Sequence, residues 1–226
     1  MRTILFAIVL GVTGFAVLAA LGAWQVQRLS WKQGVLAAIE ARVSADPVPL
    51  PASPDPRADR FLPVRVAGAM LPGEIRVLVS RKMVGAGYRI IAPYETDSGR
   101  RILIDRGFVP AADGTAPRAT GPMQIAGNLH WPDEIDAFTP EPDRAENIWF
   151  ARDVAMLADE LGTEPVLIVA RSRTDPGVTP LPVDTAGIPN DHFAYAVTWF
   201  GLALVWAGMT GYFLWRNRAR NRSDAK

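Results

Sequence analysis

Three hydrophobic patterns divide the chain. Uninterrupted apolar runs stand near both ends, Ile4 to Ala23 and Phe193 to Trp215. Each is about 20 residues or longer, enough for a helix to cross a ~30 Å hydrocarbon layer. Between them the runs are short, alternating and punctuated by Gly and Pro: Val64-Arg65-Val66, Ile75 to Val79, Tyr88 to Ile91, Arg101 to Ile104, Met123 to Leu129 and Pro165 to Arg171. These read as strands. Thr96-Asp97-Ser98-Gly99 reads as a hairpin turn, with glycine where positive φ is cheap. The third pattern occurs once. From Asp153 to Gly162 the apolar residues Val154, Leu157, Ala158 and Leu161 recur at helical spacing, with Gly162 as C-cap. The expected fold is a membrane protein in which two transmembrane helices flank an α+β soluble domain. Its antiparallel sheet, open or rolled into a barrel, carries one packed helix.

The segments follow in order. Residues 1–23 are the first transmembrane helix and 24–60 an interfacial helix with a Pro-rich linker. Residues 61–175 are the β domain, 176–190 a second linker, 191–215 the second transmembrane helix and 216–226 a basic tail. Trp24, Arg28 and Trp31 continue the helical spacing beyond the first run, placing tryptophans at interfacial depth. Small residues at four-residue steps, Ala7/Gly11, Ala16/Ala20 and Ala207/Gly211, would allow the spans to pair closely. Trp24, Gln25 and Arg28 would then neighbour His192 and Tyr195. Ala20-Leu21-Gly22 could be cut as a signal-peptide site, but the run is longer than a signal core, so a retained anchor is expected.

Charge sets the orientation. Arg2 precedes the first run, and the last eleven residues hold five cations against one anion, Asp224. By the positive-inside rule both ends are expected in the cytoplasm and the domain in the outer compartment, the periplasm of a bacterial inner membrane. The formal net charge of +1 gives no reason to expect nucleic acid, whereas the basic tail suits acidic membrane lipid. The chain has no cysteine, which excludes disulfides, thiolate metal sites and a thiol nucleophile. H-E-x-x-H, G-x-S-x-G and the phosphate-cradling loop are also missing, which argues against a hydrolase or nucleotidase.

The chain has two histidines. His130, before Trp131-Pro132 at a strand end, is read as structural. His192 opens the second span, and Tyr195, Ala196 and Trp199 fall on its helix face. That face offers a nitrogen ligand, a hydroxyl and a flat ring. The alternatives are an ordinary interfacial belt or an axial ligand to a metal or haem iron. One histidine cannot build a zinc site alone, so a cofactor needing a single ligand fits better. Arg81-Lys82 and Asp105-Arg106-Gly107 are read as solvated strand ends and a turn.

The order of motifs resembles the surfeit locus protein 1 family, assembly factors for haem–copper terminal oxidases. Five segments carry the resemblance: Leu21-Gly22-x-Trp24-Gln25-x-x-Arg28-x-x-Trp31-Lys32; Arg81-Lys82 with Gly87-Tyr88 and Pro93; Asp105-Arg106-Gly107-Phe108-Val109-Pro110; Asn147-x-Trp149-Phe150-x-x-Asp153; and Asn190-x-His192-x-x-Tyr195-Ala196-x-Thr198-Trp199-Phe200. The third is usually written N-R-G-W-V-P, so Asp105 and Phe108 depart from the pattern. The resemblance implies a non-enzymatic role in building cytochrome c oxidase, with haem a supplied to its catalytic subunit. Haem a synthase is a further expected partner. Carried over, His192 is the ligand to haem iron. Tyr195, Trp199, Trp24, Arg28 and Lys32 complete the expected cofactor-binding set, the two cations facing the propionates. A haem-free scaffold for oxidase subunits is the first alternative. A membrane-anchored periplasmic enzyme using the Asp105-Arg106 region is the second.

Overall fold

A computed structural model describes residues 2–223. Residues 224–226 of the expected tail lie outside the described residues, as do the side chains of Arg220 and Arg222. The chain separates into a helical unit, drawn from residues up to Ala38 and from Ala186 onward, and a sheet unit, Ile39–Thr185.

The helical unit contains most of α1 (Arg2–Ser44) and all of α3 (His192–Ser223). Both helices are long and apolar enough to cross a membrane. α1 runs unbroken through Ala23 and Trp24, in keeping with the helical spacing of Trp24, Arg28 and Trp31 beyond the first apolar run. No proline occurs before Pro47, so nothing in the sequence ends the helix sooner.

The sheet unit holds β1 (Val48–Pro49), β2 (Pro63–Met70), β3 (Ile75–Arg81), β4 (Gly85–Thr96), β5 (Arg101–Pro110), β6 (Gly121–Leu129), β7 (Ile148–Trp149), α2 (Val154–Leu161) and β8 (Leu167–Ala170). The strand order is β1-β2-β6-β8-β5-β4-β3-β7, and β2 also pairs with β4. That last pairing closes β2, β6, β8, β5 and β4 into a barrel. Closure removes the exposed edges that an open sheet of the same strands would leave. Gly68 permits it: a Cβ there would stand 2.1 Å from the carbonyl oxygen of Glu95 on β4.

Most neighbours are antiparallel, as the hairpins require, but β5–β8, β1–β2 and β3–β7 are parallel. β8 arrives by a long connection that includes α2, which frees it from hairpin geometry. The Pro-rich linker is extended as expected, and it also contributes β1. The second linker is partly ordered against the sheet, with Val178 buried and Thr179 bridged to Phe108.

Alternation along the strands builds two apolar layers. Val64, Val66, Ala92, Tyr94, Ile102, Ile104, Ile125 and Ile168 fill the barrel. Ile75, Ile91, Leu103 and Leu167 face outward and are covered by Val154, Leu157 and Ala158 of α2. The helix has the expected bounds because Asp153 caps its N-terminus, accepting from the Met156 amide at 2.9 Å, and Gly162 leaves it in the left-handed conformation. Burying a leucine such as Leu157 in this layer contributes about 2 kcal/mol.

Candidate functional site

In the helical unit the two helices run antiparallel, and small residues set their separation. Trp206 packs at Gly14, Thr210 at Gly11 and Phe200 at Gly22, each within 3 Å of where a Cβ would stand. The Trp206 indole donates to the Gly11 carbonyl at 3.0 Å. On α3, Ala196 and Ala203 are buried. The expected small-residue pairs are used only in part. Gly11 packs at the seam, while Ala16, Ala20, Ala207 and Gly211 are exposed. The contact stripe follows Gly11, Gly14, Gly22 and Gln25, whose three-, eight- and three-residue steps keep one face toward the partner.

That stripe ends at a polar contact. His192 is the first residue of α3, and its Nδ1 lies 2.8 Å from Oε1 of Gln25 on α1. Gln25 is buried and His192 half-buried. With the Gln25 amide turned so that Oε1 faces the ring, Nδ1 donates and the lone pair of the neutral ring is on Nε2. Nε2 makes no hydrogen bond among the described residues. Two residues earlier, Oδ1 of Asn190 is buried without a partner among the described residues. An open ring nitrogen and an unanswered acceptor therefore stand within one short segment.

The other residues expected at this site are placed differently from one another. Trp199 and Lys32 are half-buried, whereas Trp24 and Tyr195 are more than half exposed. Arg28 is exposed, and its guanidinium lies 4.0 Å over the ring of Trp31. None of these five hydrogen-bonds to His192 among the described residues. The side chain that does is Gln25. Pairing of the spans names Gln25, with Trp24 and Arg28, as a neighbour of His192, but nothing in the sequence singles it out from the other two.

The sheet unit overturns the expectation that Asp105 and Arg106 are solvated. Asp105 is 0% and Arg106 1% exposed. The cause is a β-bulge. Ile90 pairs with Gly107 and Ile91 with Asp105, so Arg106 is the extra residue on β5. The bulge re-aims the chain and sends adjacent charges to separate partners. Asp105 accepts from Arg89 Nε at 2.6 Å, from Arg152 Nη1 at 3.1 Å and from the Gly107 amide at 3.1 Å. Arg89 also donates to the Leu181 carbonyl at 2.6 Å, and Arg152 holds Glu134 through its amide and guanidinium. Arg106 reaches Thr174 at 3.0 Å and Asp175 at 3.7 Å. At Gly107, φ is +118° and a Cβ would lie 2.2 Å from the Thr179 carbonyl oxygen, so only glycine fits.

Each charge in this cluster is answered. Burial pushes the Glu134 carboxyl up, but its hydrogen bonds from Arg152 outweigh burial and hold it below the usual range. Burial lowers Arg89, and the adjacent Asp105 opposes that shift. No group of three or more metal-ligating side chains occurs among the described residues. His130 lies near this cluster, stacked on Phe61 at 5.3 Å, with Nδ1 buried and unpartnered. Burial first, and the charges of Arg152 and Arg60 second, push its imidazole down to about 4. The neutral ring therefore prevails at ordinary pH. Arg81, at the tip of the β3–β4 hairpin, lies 5.2 Å over Phe108, and Met83 beside it is exposed.

Two apolar helices that flank a closed barrel fit a two-span membrane protein with one folded extramembrane domain. The sequence matches the SURF1 family over residues 12–204, and the chain belongs to that family. All five motifs fall inside the match. The chain is 33% identical to Surfeit locus protein 1 of Xenopus tropicalis over 208 residues, covering 81% of this chain and 67% of that one. It is 31% identical to the Homo sapiens protein of the same name over 207 residues, covering 81% and 69%. A SURF1-like protein of Rickettsia felis is 29% identical over 202 residues, covering 84% and 88%.

Proposed function

We propose that this protein assists assembly of a haem–copper cytochrome c oxidase by holding haem a for insertion into the catalytic subunit, with His192 as the iron ligand. The role is carriage of a cargo, not turnover. The partners are the oxidase catalytic subunit and, as the source of cargo, haem a synthase. The setting is the bacterial inner membrane, with the sheet domain in the periplasm and both ends in the cytoplasm, in accord with Arg2 at one end and Arg216 and Arg218 at the other.

The observation that supports this reading is the ring of His192: one nitrogen is hydrogen-bonded and the other carries a free lone pair at the head of an apolar helix pair. Haem, when bound, would supply an iron that can accept such a lone pair. The residues present suit the group. Trp24, Tyr195 and Trp199 offer aromatic surface, and Arg28 and Lys32 offer cations for carboxylates. A single histidine would hold the iron by one bond, which favours release. Asp105, by contrast, has both carboxylate oxygens engaged by Arg89, Arg152 and the Gly107 amide.

The test is a haem a titration of the purified full-length protein, followed by absorbance. Wild type is expected to bind, His192→Ala to lose binding at unchanged yield, and His192→Met to bind with a shifted spectrum. Equal spectra from all three would remove the haem reading and leave the scaffold.

A further inference from the structure

We infer that Gln25 is a positioning residue that fixes His192 in its Nδ1–H tautomer and so makes Nε2 the ligating atom. The inference rests on the reading of His192 as a ligand. It adds a cause for that residue's competence.

A neutral imidazole has one N–H and one lone pair, and either nitrogen can hold the proton. An isolated ring therefore divides its population between a form that can ligate through Nε2 and one that cannot. At the seam of the helix pair the amide of Gln25 biases this choice. Oε1 of Gln25 stands 2.8 Å from Nδ1 and has no proton to give. With the amide in this orientation the reverse tautomer would set two lone pairs against each other beside a buried side chain, Gln25 being 8% exposed.

Rotation of the ring is opposed in the same way, since it would leave the Gln25 oxygen without its donor. The glutamine itself is held by the packing below it. Gly22, one turn earlier on α1, receives the Phe200 ring, and Ala196, one turn beyond His192 on α3, is buried. The approach of the backbones is what brings a side chain of α1 within reach of the first residue of α3. A hydrogen bond on the remote nitrogen also holds the orientation of the ring, as the outer partners of metal-bound histidines do.

The measurement is nitrogen NMR of full-length protein carrying isotope-labelled histidine, in nanodiscs, without haem, in alkaline buffer where the rings hold one proton. The chain has two histidines, so a His192→Ala spectrum assigns both signals. Wild type is expected to carry the His192 proton on Nδ1. Gln25→Glu keeps the acceptor and should keep that state. Gln25→Leu keeps the volume, removes the acceptor, and should move the proton largely to Nε2. A wild-type ring protonated on Nε2, or a Gln25→Leu ring unchanged from wild type, overturns the inference. The wild-type spectrum decides it alone if the leucine variant is not recovered.

Haem a titration of the same proteins separates the two claims. Gln25→Leu should weaken binding about tenfold to a hundredfold, the range seen when outer partners of metal ligands are removed, while Gln25→Glu retains it. The expected tautomers with haem binding indifferent to His192 would remove the ligand reading and leave Gln25 its role. A tautomer indifferent to Gln25, with binding still dependent on His192, would do the reverse.

Discussion

Asp105 in the sheet unit is fully buried and His192 in the helical unit half-buried, and their polar atoms are treated in opposite ways. Asp105 is closed: two guanidiniums and a backbone amide occupy it, and those guanidiniums are themselves held by Glu134 and a carbonyl. His192 is half satisfied, with one nitrogen bonded and one open. A saturated cluster has nothing left with which to bind or react, whatever its charge. An unsaturated group beside a rigid contact can do both. The contrast separates structure from function better than burial or charge alone.

The comparison breaks most visibly at Asp105. Replacing it with Ala leaves Arg89 and Arg152 buried without their shared carboxylate, and should cost about 3–5 kcal/mol in thermal unfolding of the full-length protein. His192→Ala should leave the melting temperature close to wild type while haem binding is lost. If the two variants lost the same stability, the distinction between closed and open groups would be wrong.

The helix seam gives the next effect. A Cβ at Gly11 would stand 3.1 Å from Cβ of Thr210. Gly11→Cys with Thr210→Cys should therefore form a disulfide in this cysteine-free chain under a membrane-permeant oxidant, read by mass spectrometry. Ala16→Cys with Gly208→Cys, both on exposed positions, should not form an intramolecular bond. Failure of the first pair would mean that the spans do not meet along the stripe that delivers Gln25 to His192.

A smaller effect is expected from pH. His130 is pushed from 6.5 down to about 4 by burial and neighbouring cations, so the unfolded chain takes up a proton first on acidification. Its contribution is fully retained above about pH 6.5 and is lost progressively as pH falls toward 4. Glu134, held below its ordinary value, adds loss in the same direction at lower pH. In melts across this range, His130→Phe, which keeps a ring against Phe61, should flatten the limb between pH 6.5 and 4. An unchanged limb would mean that the ring is already solvated.

The smallest effect belongs to an exposed pair. Arg144 and Glu160 lie 3.0 Å apart with half-open side chains. Glu160→Gln should shift unfolding by less than about 0.5 kcal/mol, as solvent-screened pairs do. A loss approaching that of Asp105→Ala would show that burial is not what makes the Asp105 cluster strong.

How much of this was legible in the sequence depended on range. The strands and α2 are written in local alternation, the Asp153 cap and Gly162. The spans are written in run length. Asp105 and Arg106 look solvated because their partners come from Arg89, Arg152 and Asp175, which only the folded sheet brings together, and because a bulge is invisible to a period of two. β1 and β7 are two residues each and leave no pattern. At the helix pair the neighbourhood of Trp24, Gln25 and His192 followed from pairing the spans. The choice of Gln25 did not, because it depends on rotation of one helix about its axis by less than a turn.

The position of β8 has a consequence for synthesis. β5 and β6 follow one another in the chain but do not pair; the slot between them is filled by β8, which begins at Leu167. Until that residue has emerged, both flanking strands present open edges, and the barrel cannot close however long the first part of the chain has waited. Pairings between such distant segments are slow to form. A product terminated before Leu167 would keep the hydrophobic strands and lack the one that seals them, which makes it a template for aggregation and a substrate for proteolysis.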